Sequence, residues 1–147
     1  MLYFAYGSNL NHAQMEYRCA GATFIKKHIL KGHKLCFSHK TNRTVYGHAN
    51  IVKDKKSEVQ GAIWNISKKD EQELDIYEGI DYHYYQKEFF ILKGKKVLVY
   101  IQKKYYHQKP SSTYLHTIIE GYKDCNLDVK KLKKIISRYK INYQINW

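Results

Sequence analysis

The stretch from Ala22 to Gln102 limits the fold most, because it reads as strand after strand with one helical break. Phe24-Ile25, Ile29-Leu30, Leu35-Cys36-Phe37 and the group Ala49, Ile51, Val52 are β-prone pieces separated by Gly32 and Gly47. Val59, Gly61 and Ile63 alternate with polar or small residues, as a half-buried strand does. Two further strands are expected, Tyr84 to Leu92 and Lys96 to Gln102, joined by a turn at Lys93-Gly94-Lys95. A short apolar run from Leu2 to Tyr6 adds a buried strand near the N-terminus.

Helical patterns interrupt or close this series. Asn11 followed by Gln14 is a capping-box pattern opening a helix to about Arg18. Ser67 is a helix N-cap with acidic residues in the first turn, Leu74 and Tyr77 give an inward face, and Gly79 is the stop. Ser111-Ser112, after Pro110, cap a short helix to about Glu120. Val129, Leu132, Ile135, Ile136 and Tyr139 form the apolar stripe of a last helix. The regular βαβ alternation of a dinucleotide-binding fold is absent. The expected class is α+β: a small, mixed, mainly antiparallel, barrel-like sheet flanked by short helices. At 147 residues the chain suits one domain, 1–147.

The net charge of +13 points first to nucleic acid. Arginine, however, occurs only at Arg18, Arg43 and Arg138, and the lysines are scattered rather than clustered. Phosphate and base recognition favour the arginine fork. Nucleic acid is therefore not expected as the main partner. Abundant Lys, Ile, Asn and Tyr beside a single Pro fit the codon bias of an AT-rich genome. No apolar run nears the roughly 20 residues of a membrane helix, so no membrane partner is expected. The first residues carry no basic region before the polar break at Gly7-Ser8-Asn9, unlike a signal peptide. Cys19, Cys36 and Cys125 are odd in number and widely spaced, which suits reduced thiols in a cytoplasmic protein.

Two places can carry chemistry. In Tyr3-Phe4-Ala5-Tyr6-Gly7-Ser8-Asn9-Leu10 a strand enters a Gly-containing turn and then a helix. Such a turn can aim backbone N–H groups at a carboxylate or oxyanion. Gly7 would permit close approach or a positive φ, and Ser8 and Asn9 would add side-chain hydrogen bonds. An ordinary strand-to-helix turn has the same residues. Ser8 is not a nucleophile of the elbow type, since Tyr6 and Leu10 stand where that motif needs glycine. The second place is Glu78, a carboxylate at the unfavourable end of a helix among Ile76, Tyr77 and Ile80. Burial there would raise its pKa and suit a general base near neutrality. By sequence physics alone, a solvent-exposed helix-end glutamate is the commoner outcome. The many tyrosines, among them Tyr82, Tyr84, Tyr85, Tyr105, Tyr106 and Tyr114, can line a pocket or simply fill core and surface. The histidines show no ligand spacing, and no metal is expected.

These segments together resemble the γ-glutamylcyclotransferase family. Tyr3 to Leu10 resembles its N-terminal substrate loop. Gly61-Ala62-Ile63-Trp64 followed by Leu74-Asp75-Ile76-Tyr77-Glu78-Gly79 resembles its "G-x-x-W … L-D-x-x-E-G" segment. Tyr84-Tyr85 follows where the family carries tyrosine before the next strand. Pro110 to Tyr114 with Ile118, Ile119 and Gly121 resembles a later "P-S-x-x-Y-x-x-x-I-x-x-G" segment. The resemblance implies a small mixed barrel of about six strands. It also implies release of 5-oxoproline from a small γ-glutamyl compound; that chemistry requires no cofactor or metal, and a monomer or homodimer is expected. Glu78 matches the catalytic glutamate; Tyr6, Gly7, Ser8, Asn9 and Leu10 match the loop that holds the γ-glutamyl group; Tyr85 and Tyr114 match pocket tyrosines. The loop departs from the Gly-Ser-Leu-x-Trp type of glutathione-degrading relatives and from the Tyr-Gly-Thr-Leu type of the γ-glutamylamine branch. That leaves γ-glutamyl amino acids or peptides as the expected substrates. Tyr82-His83-Tyr84-Tyr85 is bulky beside the glutamate, so the acceptor side of the pocket is expected to differ. The alternatives are a catalytically silent ligand- or partner-binding module of the same fold and a basic nucleic-acid-binding domain.

Overall fold

Six strands form one sheet in a computed structural model that describes residues 1–43 and 45–147. The elements are β1 (Leu2–Ala5), α1 (His12–Arg18), β2 (Thr23–His39), β3 (His48–Asn65), α2 (Lys68–Tyr77), β4 (Gln86–Leu92), β5 (Lys95–Ile101), β6 (Tyr106–His107), α3 (Ser112–Asp124) and α4 (Val129–Ile136). Single 3-10 turns follow β1 at Ser8–Leu10 and α2 at Ile80–Tyr82. The strand order is β4-β5-β1-β3-β2-β6. β1 runs parallel to β5, and every other pairing is antiparallel. The α+β, mainly antiparallel expectation holds.

β1 is central, and both its faces are covered, so it reads as a continuous apolar run rather than an alternating one. Phe4 packs edge-on against Phe90 of β4 and His28 of β2. Those two strands stand far apart in the sheet order, yet His28 and Phe90 stack with ring centroids 6.2 Å apart. This contact curls the sheet into a half-barrel. Tyr3 points to the opposite face, toward Tyr100.

The β-prone pieces between Ala22 and Asn65 are not separate strands. They merge into β2 and β3, of 17 and 18 residues, paired along nearly their whole length. Gly32 takes φ +78° beside a register shift between Lys31 and His33. It is the glycine of a bulge that bends a continuous strand, not a turn between two. The hairpin between β4 and β5 closes on Lys93 and Gly94, both at positive φ, the signature of a type I′ turn.

Ser67 caps α2 as expected, accepting from the Asp70 amide while Asp70 Oδ2 accepts from the Ser67 amide. Leu74 faces the core, but Tyr77 does not; it is 45% exposed beside the cavity described below. Asn11 caps α1, accepting from the Gln14 amide 3.0 Å away. Gln14 does not complete that box, because its side chain turns to Ser8 and Asn9. α3 runs past Glu120 to Asp124, since Gly121 faces the core instead of ending the helix. A Cβ on Gly121 would lie 2.7 Å from Leu10 Cβ. α4 carries the expected stripe, with Leu132 and Ile136 buried. No helix among the described residues is long and apolar enough to cross a membrane.

Candidate active site

The loop that leaves β1 forms one wall of a cavity of about 510 Å³, and the C-terminal end of α2 forms another. Leu10 donates its amide to the Gly7 carbonyl at 3.1 Å, which closes the 3-10 turn. The amides ahead of it, on Ser8 and Asn9, have no carbonyl behind them within the turn. Gly7 sits at φ −121°. Its lack of a side chain serves close approach, not a left-handed backbone: a Cβ there would stand 2.8 Å from Ala49 Cβ and 3.3 Å from the Tyr114 hydroxyl. Leu10 does not line the cavity. Its side chain is fully buried against Gly121 and anchors the loop from behind, worth about 2 kcal/mol of burial.

Glu78 is the C-cap residue of α2, its amide bonded to the Leu74 carbonyl at 2.8 Å. Gly79 then takes φ +64° and reverses the chain. The chain returns at once: the Tyr84 and Tyr85 amides donate to the carbonyls of Gly79 and Glu78. β4 therefore begins at Gln86 rather than Tyr84, because these two residues close the loop beside Glu78. Glu78 is half-buried, its exposed part opening on the cavity. Burial raises its carboxyl pKa to about 7, while the Arg18 charge and a hydrogen bond from Asn9 restrain that rise. The exposed helix-end alternative is thereby set aside. Glu78 is the one carboxylate in the cavity wall among the described residues.

Asn9 ties the two walls together. Its Nδ2 donates to Glu78 Oε1 at 3.3 Å and to the Tyr3 hydroxyl at 2.9 Å. Its Oδ1 accepts from Arg18 Nη1 and from Gln14 Nε2, both at 3.0 Å. Gln14 also donates to Ser8 Oγ at 2.8 Å.

The remaining wall is aromatic. Tyr6 lines the cavity, but its hydroxyl is committed to the Tyr100 carbonyl. Tyr85 donates to the Ala49 carbonyl, and Tyr114 accepts from the Ala49 amide at 2.9 Å, which leaves the Tyr114 O–H proton free. Burial raises the pKa of Tyr6, Tyr85 and Tyr114, so all three stay protonated at neutral pH. On the outer side, Tyr84 bridges His39 and His48, and Lys40 reaches the Tyr82 carbonyl. Burial lowers the pKa of both histidines, with neighbouring positive charge adding to it.

A carboxylate poised near neutrality, the one in the cavity wall among the described residues, beside a loop whose Ser8 and Asn9 amides are not spent within the turn and beside protonated phenols, can move a proton and steady an oxyanion. A family model described as gamma-glutamyl cyclotransferase, AIG2-like, matches residues 3–121. The chain belongs to this family. It is 31% identical over 143 residues to the gamma-glutamylcyclotransferase of Homo sapiens, covering 91% of this chain and 76% of the relative. Against that of Bos taurus it is 32% identical over 145 residues, covering 92% and 77%. It is similar to a solved gamma-glutamyl cyclotransferase structure with TM-score 0.82 and 28% identity, over 99% of this chain and 93% of the other. The chain is thus a gamma-glutamylcyclotransferase-like enzyme, and the family expectation drawn from its motifs is met.

Of the residues expected at the site, Tyr6, Gly7, Ser8, Asn9, Glu78, Tyr85 and Tyr114 line one cavity. Sequence reasoning missed Gln14, Arg18 and His48. For the first two a signal existed: they lie four apart and share one face of the helix that follows the loop. His48, which β3 presents beside Tyr84 and Tyr114, had none.

Proposed function

We propose that residues 1–147 act as one gamma-glutamylcyclotransferase-like domain that cyclises a small γ-glutamyl compound, with Glu78 as general base. The observation that carries this reading is a carboxylate, the one in the cavity wall among the described residues, whose pKa burial raises to about 7 and which lines the same cavity as Ser8 and Asn9. The α-amine of a γ-glutamyl unit is mostly protonated at neutrality. Glu78 takes that proton. The freed nitrogen attacks the γ-carbonyl carbon, forming the C–N bond of the lactam and placing negative charge on the carbonyl oxygen. The amides of Ser8 and Asn9 are suited to hold that oxygen, each such donor being worth about 3 kcal/mol. The Leu10 amide is already spent on Gly7. Protonated Glu78 then gives its proton to the leaving nitrogen as the old amide bond breaks, takes the second proton of the attacking nitrogen so that the lactam is neutral, and releases that proton to water. The products are 5-oxoproline and a free amine or amino acid. Folding the substrate for internal attack supplies up to roughly 7–11 kcal/mol by proximity.

The substrate class we favour is γ-glutamyl amino acids or peptides, since the cavity wall carries Lys40 and Arg18 and suits an anionic compound. Three buried free thiols fit a reducing, cytoplasmic setting. The expected assembly is a monomer or a homodimer. The test is 5-oxoproline release from γ-glutamyl amino acids, γ-glutamylamines and glutathione, beside Glu78→Gln. The wild type should act on one class, and the variant should lose at least about a hundredfold in kcat. A wild type silent on the whole panel, or a fully active variant, would remove the assignment.

A further inference from the structure

We propose that Arg18 is a positioning residue of this reaction, acting on Glu78 through the side-chain amide of Asn9. The inference rests on the reaction proposed above. Donors and acceptors around Asn9 fix its orientation. Its oxygen faces Arg18 Nη1 and Gln14 Nε2, groups that only donate at those atoms. Its nitrogen faces the Glu78 carboxylate and the Tyr3 hydroxyl. Turning the amide over would set NH2 against a guanidinium and a second NH2, and oxygen against a carboxylate. Removing Arg18 takes away the charged half of that restraint and polarises the amide less toward Glu78.

Arg18 is itself held. Its guanidinium lies over the Tyr77 ring, 4.3 Å from the centroid, so a planar cation is fixed between an aromatic face and the amide oxygen. It is also the cation that acts on the carboxylate. Lys40, the other formal cation lining the cavity, turns its ammonium to the Tyr82 carbonyl. His39, from β2, and His48, from β3, have lowered pKa values and add little positive charge near neutrality. The phenols facing Glu78 are Tyr3 from β1, Tyr6 beyond it, and Tyr100 from β5. Tyr84 and Tyr85, before β4, and Tyr114 from α3 complete them; all have raised pKa values and stay neutral. Loss of the Arg18 charge and slackening of the Asn9 hydrogen bond both favour protonated Glu78, so their effects add in one direction.

The test follows the Glu78 carboxyl by carbon-13 NMR, its resonance identified by loss in Glu78→Gln, alongside the pH profile of kcat/KM. In the wild type, the midpoint and the acid limb should agree. Arg18→Gln should raise both by about half a pH unit or more and lower kcat about tenfold. Arg18→Lys, which keeps the charge, should restore most of the midpoint. Should Arg18→Gln fail to fold, Tyr77→Leu frees the guanidinium without removing it and should move both readings upward by a smaller amount. An unchanged midpoint and acid limb in the folded variants overturns the proposal, even with lower stability, because a merely structural arginine would not move a titration. A wild type that releases no 5-oxoproline overturns the reaction instead, which the NMR midpoint alone would not detect.

Discussion

Burial of the Glu78 carboxyl raises its pKa from 4.5 to about 7, so between those values the folded chain keeps a proton that the unfolded chain has released. Stability tied to that proton is complete below about 4.5 and is lost as pH rises through 7. At pH 8 the ionised group costs up to about 3 kcal/mol, less what the cavity water screens. In the proposed reaction, that cost is what would make the carboxylate a usable base. Glu78→Gln keeps the shape and removes the charge. The variant should therefore melt several degrees above the wild type at pH 8, and the gap should close toward pH 5. Calorimetry at both pH values decides this. An equal difference at both would mean that Glu78 is not desolvated. A catalytically dead variant that is also more stable at pH 8 would separate the chemical role of the residue from any role in folding.

At the scale of elements, the candidate site depends on α3 pressing on the back of the Gly7–Leu10 loop. Gly121 allows that contact, since a Cβ there would meet Leu10 Cβ and the Asn11 amide, each at 2.7 Å. Gly121→Ala gains about 1 kcal/mol of helix propensity, yet it forces a displacement that costs about 1–3 kcal/mol. The expected outcome is a net loss of stability with a rise in KM, read by denaturant titration and by kinetics on the panel. A more stable variant with unchanged KM would show that α3 can shift without disturbing the loop. What sequence could say about such elements follows from the range of each signal. Ser67, Ser111 and Asn11 were legible as caps because a cap is settled within four residues. Glu78 and the Tyr3–Leu10 loop stood out through their resemblance to family motifs, each a contiguous run, whereas the residues alone favoured an exposed glutamate and an ordinary turn. The length of β2 and β3 was not, because Gly32 reads alike as a turn and as a bulge; pairing of Leu30 with Val59 and His33 with Lys53 decides between them. Nor was the end of α3, where a contact 111 residues away turns a helix-stopping glycine into a packing one. Arg18 escaped notice because its partners, Asn9 and Tyr77, lie on different elements.

The whole molecule carries a net charge of +13, spread over exposed lysines and gathered in the cavity mouth by Arg18 and Lys40. A spread of like charge opposes compaction, whereas positive charge at a cleft draws in anions. Added salt screens both effects, shortening the Debye length from roughly 30 Å at 0.01 M to about 8 Å at 0.15 M. The two consequences have opposite sign. Tm should rise as salt relieves repulsion across the surface. In contrast, kcat/KM for a γ-glutamyl amino acid, which carries two carboxylates, should fall a few-fold as steering is lost. A γ-glutamylamine with a neutral leaving group should respond less, because one of the two carboxylates is missing. Measuring melting and initial rates over the same salt series tests this directly. If kcat/KM is flat in salt for the dicarboxylate while Tm climbs, the surplus charge acts on the fold alone and Lys40 plays no part in gathering substrate. If both move as expected, Lys40→Met should flatten the kinetic response and leave the thermal one nearly intact, since it removes one charge of many from the surface but half the formal cations of the cavity wall.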